Sequence, residues 1–331
     1  MSDVVITGIG LLTPLGVDAD GLSAALAAGQ SGIALHDDLR TGHSVPAGRI
    51  DQVPVKEIVR SPQLRRMDRL GKMATVAAGM ALRHAGLGDG PGVRSERAAV
   101  GWATEYASLE HTWAFQERVR TRGPRLANPM SFPNLVQNAV AGYLSILFGL
   151  RGPSVTFCHH ETCGLEALSW AARLLRRDRA DLVLVGVSEE LGEVLFRARS
   201  LIGVEAPPGE GAVALVLERR AAAIARGAKV LATVAADSAA AAPLPSHWYP
   251  SRDAAPRVLQ LALERAGVSA DELAAELGRA RHLADAVGMS AVLPLFHVAA
   301  LALAGELPAA TVVDARGGAA RAVVLSEPGR A

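Results

Sequence analysis

Six consecutive residues, Cys158-His159-His160-Glu161-Thr162-Cys163, concentrate most of the chemistry this chain could perform. Two thiols, two imidazoles and a carboxylate can act as metal ligands, as a nucleophile with its base, or as a general acid/base pair. A tetrahedral metal site needs spacers that let the backbone wrap the ion. Neighbouring residues point in divergent directions, and no second ligand group lies elsewhere in the sequence, so no metal is expected. Gly8-Ile9-Gly10, following an apolar run, invites a dinucleotide-binding reading, but Thr13 stands where the third glycine belongs. The expectation there is a tight turn, and no cofactor. His84 and His297 fall in helical patterns and read as packing or surface residues.

The elements that must position these groups alternate between strand and helix. Val4 to Ile9, Ala98 to Ala103, Val155 to Cys158, Leu182 to Val187, Gly211 to Leu217, Val230 to Ala235, Thr311 to Val313 and Ala322 to Ser326 read as strands. Leu182 to Val187 is apolar throughout, as in a sheet covered on both faces. Helices are predicted over Asp18 to Ala28, over Leu64 to Ala85 with Gly86 closing it, and over 106–120 before a turn at Gly123-Pro124. Others are predicted over Phe132 to Leu147, Leu165 to Leu175, Pro256 to Ala266, Ala270 to Leu277 and Ser290 to Ala304. Residues 35–60 and the stretch Ala235 to Ser246 read as loop. The alternation predicts an α/β fold.

The 331 residues suggest two domains or one duplicated one, and half of them are hydrophobic, enough for a sizeable core. Net charge is +1, and the densest basic run, Arg173 to Arg179, reads as a solvated helix end. Few aromatics interleave with the charges, so no nucleic acid is expected. No leader precedes the first strand and no apolar run reaches membrane-spanning length, so the expectation is a cytoplasmic protein, without a membrane partner and with reduced thiols.

A family resemblance begins at Arg151-Gly152-Pro153-Ser154. Gly-Pro-Ser, a short strand, a sharp turn and Gly164 opening an apolar helix are similar to the nucleophile elbow of β-ketoacyl synthases. Val4 to Gly16 resembles that family's first strand and turn, and Met67-Asp68-Arg69 its first long helix. Ala139 to Gly142, Ala180-Asp181 into Val185-Gly186, and Pro208 to Gly211 also follow in order, covering about residues 1–220. The resemblance implies a thiolase-like layered α-β-α-β-α fold of two related halves, 1–220 and a shortened 221–331.

It also implies what is missing. Counted from Gly152-Pro153-Ser154, the position of the acyl-carrying cysteine holds Glu161, and Cys163 falls two residues later. A carboxylate can accept a helix N-terminal dipole but is a poor acyl carrier. The His-Gly-Thr-Gly-Thr motif is absent, Asp285 falls where the second histidine belongs, with His282 close by, and the glycine-rich gate survives as Arg316-Gly317-Gly318. No catalytic residue is therefore expected. The resemblance is to the chain-length factors of type II polyketide synthases, in a divergent branch such as those of highly reducing, polyene-making systems. It implies a cysteine-bearing ketosynthase as heterodimer partner, an acyl carrier protein reached through the complex, and pairing through Val155, Phe157 and Cys158. It points to Trp113, Phe115 and Phe132 as tunnel residues, although each also reads as ordinary core packing. Two rivals are an independent homodimeric decarboxylase or acyltransferase using Glu161 with His159 or His160, and a purely structural paralogue.

Overall fold

A computed structural model describes residues 3–17, 22, 24, 25, 28–37, 44–88, 96–201, 206–241, 254–269, 291–305, 307–314 and 319–328. Strand β1 (Val4–Leu12) is buried along its whole length. Helix α2 (Arg69–His84) lies across it; Asp68 caps its N-terminus by accepting from Gly71 N–H, and Gly86, at φ +71°, follows its last turn. A Cβ on Gly8 would stand 2.2 Å from the Ala81 carbonyl oxygen, and one on Gly10 2.0 Å from that of Ala77. The two glycines therefore sit inside a strand that a helix backbone approaches closely. This corrects the expected turn, which comes later, at Thr13–Gly16.

The sheet grows from β4 (Ala98–Thr104), β5 (Ser154–Cys158), β6 (Leu182–Glu189), β7 (Gly211–Arg219), β8 (Ala232–Ala241), β9 (Ala309–Asp314) and β10 (Ala319–Ser326). Their order is β5-β4-β6-β7-β1-β8-β10-β9, with β5 at one edge. β4 runs parallel to β5 and β6, whereas β7 is antiparallel to both β6 and β1. The trio β9-β10-β8 repeats this arrangement, with β10 antiparallel to both its neighbours. β1 joins the two sets through Val5↔Thr233 and Ile6↔Ala232.

Helix α5 (Cys163–Arg176) and helix α9 (Leu293–Ala304) share one core with β4, β6 and β7 and with Val234, Ala309, Val323 and Leu325 of the later strands. Helix α2 and helix α4 (Ala139–Phe148) cover the opposite face of the first set. Helix α8 (Ala254–Ala266) covers the second set. The result is the five-layered α-β-α-β-α architecture.

Several boundaries differ from expectation. The stretch read as loop over 35–60 carries an antiparallel ribbon, β2 (Ile33–Asp37) with β3 (Ser44–Gly48), and a short helix, α1 (Val55–Ile58). β8 continues to Ala241 because its ladder with β10 extends to Ala319↔Ala241. Phe132 belongs to a 3-10 turn (Pro129–Asn134), with α4 starting only at Ala139. Helix α3 (Leu109–Arg122) replaces the helix predicted over 106–120, and α6 (Glu193–Leu201) and α7 (Arg220–Ala225) were not anticipated. Of the helix expected over Asp18 to Ala28, Leu22, Ala24, Ala25 and Ala28 are described; the first three are helical and Ala28 lies in a turn. The helix expected over Ala270 to Leu277, together with His282, Asp285 and Arg316-Gly317-Gly318, lies outside the described residues.

Candidate functional site

The elbow is built where β5 ends and α5 begins. Parallel pairing of β5 on β4, from Val100↔Ser154 to Thr104↔Cys158, brings Cys158 to the C-terminal edge of the sheet. The chain turns through 159–162, closed by the Cys163 N–H donating to the His160 carbonyl at 3.0 Å, and α5 starts at Cys163. The helix forms because its small and apolar residues (Cys163, Leu165, Ala167, Leu168, Ala171, Ala172, Leu175) recur on one buried face. Thr162 is the N-cap, without a side-chain cap bond, and Glu161 precedes it. Glu161 is half-buried.

Both thiols sit where the thiolate is disfavoured. Cys163 is fully buried, and burial first, then the Glu189 and Glu105 carboxylates, hold its pKa well above the usual thiol range. Burial and the same two charges raise Cys158, whose S–H donates to the Glu105 carbonyl at 3.6 Å.

Facing the elbow is the turn that links β4 to α3. Glu189, the last residue of β6 and 2% exposed, anchors it. Its Oε1 accepts from the Thr104 hydroxyl at 2.8 Å and from the Glu105 N–H, and its Oε2 accepts from the Tyr106 N–H at 3.4 Å. Burial pushes Glu189 up to about 8 despite these donors. Glu105 is also raised, chiefly by burial; the Tyr106 hydrogen bond opposes the shift and the charge of Glu161 adds to it. Tyr106 is raised by burial and by donating to Glu105. His160 and Arg199 complete the charges around Glu105. His159 Nε2 meets Glu166 Oε2 at 2.5 Å. A carboxylate-rich turn thus meets a carboxylate-bearing elbow.

A second buried acid, Glu190, lies on the far side. Burial and the charges of Asp68, Glu110 and Glu210 push it up to about 8, against Arg69. Glu210 itself accepts from Ile50 N–H at 2.7 Å, Leu191 N–H at 3.0 Å and Arg69 Nη2 at 2.6 Å. Among the described residues no group of three or more His, Cys, Asp or Glu is arranged to hold a metal ion, and no helix is long and apolar enough to cross a membrane.

The structure brings Glu161 and Cys158 each beside Glu105 but separates the aromatics from any core. Trp113 is 50% and Phe132 60% exposed, Phe115 is half-buried, and no residue of α3 is buried. The packing alternative for Trp113 and Phe132 is thereby overturned. Leu126, Met130, Val136 and Ile146 extend the exposed apolar surface. Val155 is half-buried on the edge strand, and Phe157 is partly buried, edge-on to Trp170 at 6.0 Å. Glu105 and Glu189 escaped the sequence reading, and Tyr106 entered it only as the start of the helix predicted over 106–120. The signal was present in Glu189-Glu190, two adjacent acids closing an apolar strand.

Residues 1–204 match the N-terminal domain of β-ketoacyl synthases. The chain is 31% identical to 3-oxoacyl-[acyl-carrier-protein] synthase 2 of Vibrio cholerae over 70% of its length and 61% of that protein's. It is 28% identical to a putative polyketide β-ketoacyl synthase 2 of Streptomyces cyaneus over 81% of this chain and 69% of that protein. It spans about three fifths of the length of the 3-oxoacyl synthases it matches. Among solved structures, the ishigamide ketosynthase/chain length factor superposes with a TM-score of 0.80 at 24% identity, covering 98% of this chain and 99% of that one. That likeness is one of fold.

Proposed function

The chain belongs to the β-ketoacyl synthase family, and from that premise we propose that it is a non-condensing subunit: a chain-length factor of a type II polyketide synthase. One observation carries this reading. At the elbow, between the end of β5 and the start of α5, stands Glu161, while Cys163, two residues on, is buried and raised, and Cys158 is raised as well. A condensing enzyme needs a thiolate there to accept the acyl chain, and a carboxylate cannot replace it. Asp285 is our proposed replacement for a catalytic histidine. The relatives' names supply the chemical setting, a polyketide synthase in one case and acyl-carrier-protein substrates in the other.

On this reading the missing nucleophile comes from a cysteine-bearing ketosynthase, paired through β5 with Val155, Phe157 and Cys158 at the contact. β5 is an edge strand with open backbone groups, which supports such pairing. The exposed Trp113 and Phe132 and the half-buried Phe115 would be covered by the partner and would line its acyl tunnel. The acyl carrier protein is reached through the complex. The division at about residue 220 follows the strand repeat, with β1 to β7 in the first half and β8 to β10 in the second. The proximity of Glu105, Tyr106 and His160 to Glu161 favours one rival, an acid/base enzyme that decarboxylates an acyl thioester by itself. The test is turnover: the isolated chain should release no CO2 from a malonyl thioester, and with the partner its variants should change product length. CO2 release by the isolated chain, lost in Glu161→Gln, would transfer the assignment to the rival.

A further inference from the structure

We propose that Glu105 and Tyr106, held in position by Glu189, select the acyl chain end that this subunit tolerates, admitting ends that carry an oxygen and turning back saturated alkyl ends. The inference rests on the tunnel-shaping reading above.

The turn between β4 and α3 is fixed from three sides. Glu189 takes the Thr104 hydroxyl and the Glu105 and Tyr106 N–H groups. The same Thr104 oxygen accepts from the Ala107 N–H at 3.0 Å. Ala107 sits at φ +53°, a left-handed conformation that a non-glycine residue keeps only where its surroundings demand it. A fully buried carboxylate thus holds a strained turn, and the turn lies against the elbow, where the Cys158 thiol donates to the Glu105 carbonyl. The side chains of Glu105 and Tyr106 are polar and already paired, the Tyr106 hydroxyl with the Glu105 carboxylate. Glu161, His160 and Arg199 lie around them. Tyr106 is itself 38% exposed, and beyond it α3 and the 129–134 turn expose the apolar Trp113, Met130 and Phe132.

A methyl-ended chain reaching the turn would strip water from a hydroxyl and a carboxyl and return nothing, whereas a hydroxyl or oxo group can hydrogen-bond to them. Glu105 and Tyr106 are therefore specificity-determining residues, and Glu189 is a positioning residue acting through them.

Two measurements test this. On the isolated chain, alkylation of Cys158 by iodoacetamide, located by peptide mass spectrometry, reads opening of the turn, since this thiol bonds to the Glu105 carbonyl. Glu189→Ala should accelerate labelling about tenfold, and Glu189→Gln, which keeps an acceptor oxygen, should restore much of the protection. Should Glu189→Ala not fold, Thr104→Val, which removes one donor, should accelerate labelling about threefold. On the complex with its co-purifying ketosynthase, hydroxyl-bearing and saturated acyl thioesters of equal length are compared. Tyr106→Phe and Glu105→Gln should shift the elongation ratio toward the saturated chain about tenfold. Labelling that ignores Glu189 and Thr104 overturns the positioning role. An intact complex whose ratio does not move overturns the specificity claim alone. Failure of any ketosynthase to co-purify overturns the subunit reading and this claim with it.

Discussion

Arg321, on β10, reaches the carboxylate of Glu166 on α5 at 3.0 Å. The same carboxylate meets His159 of the elbow turn, so one side chain ties the elbow to the last strand of the chain. Arg173 and Arg176 add a second tie to Asp237 on β8, at 3.5 and 3.4 Å. The helix that begins at the elbow is thus fastened to the later strands by ion pairs as well as by apolar packing.

Arg321→Met should test that fastening. The arginine side chain is 16% and its partner 27% exposed, so the pair is largely but not fully shielded from water. Removing the arginine leaves Glu166 with only His159 of these two partners, and after allowing for screening the expected loss is about 2 kcal/mol. Urea unfolding of the two proteins measures it. A difference within about 0.5 kcal/mol would mean that solvent already screens the contact.

Stability should depend on pH through Glu189 and Glu190. Both have ordinary values of 4.5 and stand at about 8 in the fold. Between those limits the folded protein keeps a proton on each acid that the unfolded chain has released. Stability is therefore highest near the lower limit and falls as pH rises toward 8, by up to about 1.4 kcal/mol per pH unit for each group. Thermal unfolding between pH 5 and pH 8.5, read with the mean slope from Glu190→Gln, checks this. The variant should be flatter, and a wild-type midpoint that rises over the same interval would refute the sign.

The glycines of β1 provide a packing test. Gly10→Ala places a methyl carbon 2.0 Å from the Ala77 carbonyl oxygen, so α2 must lift from the strand. A loss of about 3 kcal/mol or more is expected. Gly142→Ala, on α4 with nothing within 4 Å of the added carbon, should be neutral or stabilising by about 0.5–1 kcal/mol. Equal effects would show that close approach is not what fixes glycine at position 10.

Trp113 and Phe132 should matter to a complex rather than to the fold. Both are at least half exposed, so alanine at either position should change the stability of the isolated chain by no more than about 1 kcal/mol. In a heterodimer that covers them, either substitution should weaken association by about 2 kcal/mol or more, or lengthen the product. Titration against the partner, with product analysis, separates these effects from loss of fold.

Most of the fold was legible because it depends on local pattern. The apolar runs of β1, β4, β6 and β7 and the capped periodicity of α2 identify themselves. The β2–β3 ribbon did not, because its residues are mostly exposed or half-buried and carry no alternating apolar signal. β8 was cut short for the same kind of reason. Its alanine-rich end has little strand propensity and is held by its ladder with β10, a contact between distant segments. At the site, Glu161 could be located by counting from Gly152-Pro153-Ser154. Glu105, Tyr106 and Glu189 could not, since 84 residues separate Glu105 from the carboxylate that holds it. Only the sheet order, which sets β4 beside β6, brings them together.

The central claim is that this chain works as the nucleophile-free half of a pair. The most direct test is to tag it in its source organism, purify it gently and identify stoichiometric partners by mass spectrometry. A one-to-one complex with a ketosynthase that carries the elbow cysteine is the predicted result. A homodimer that by itself turns over an acyl thioester, with activity lost in Glu161→Gln, would contradict it.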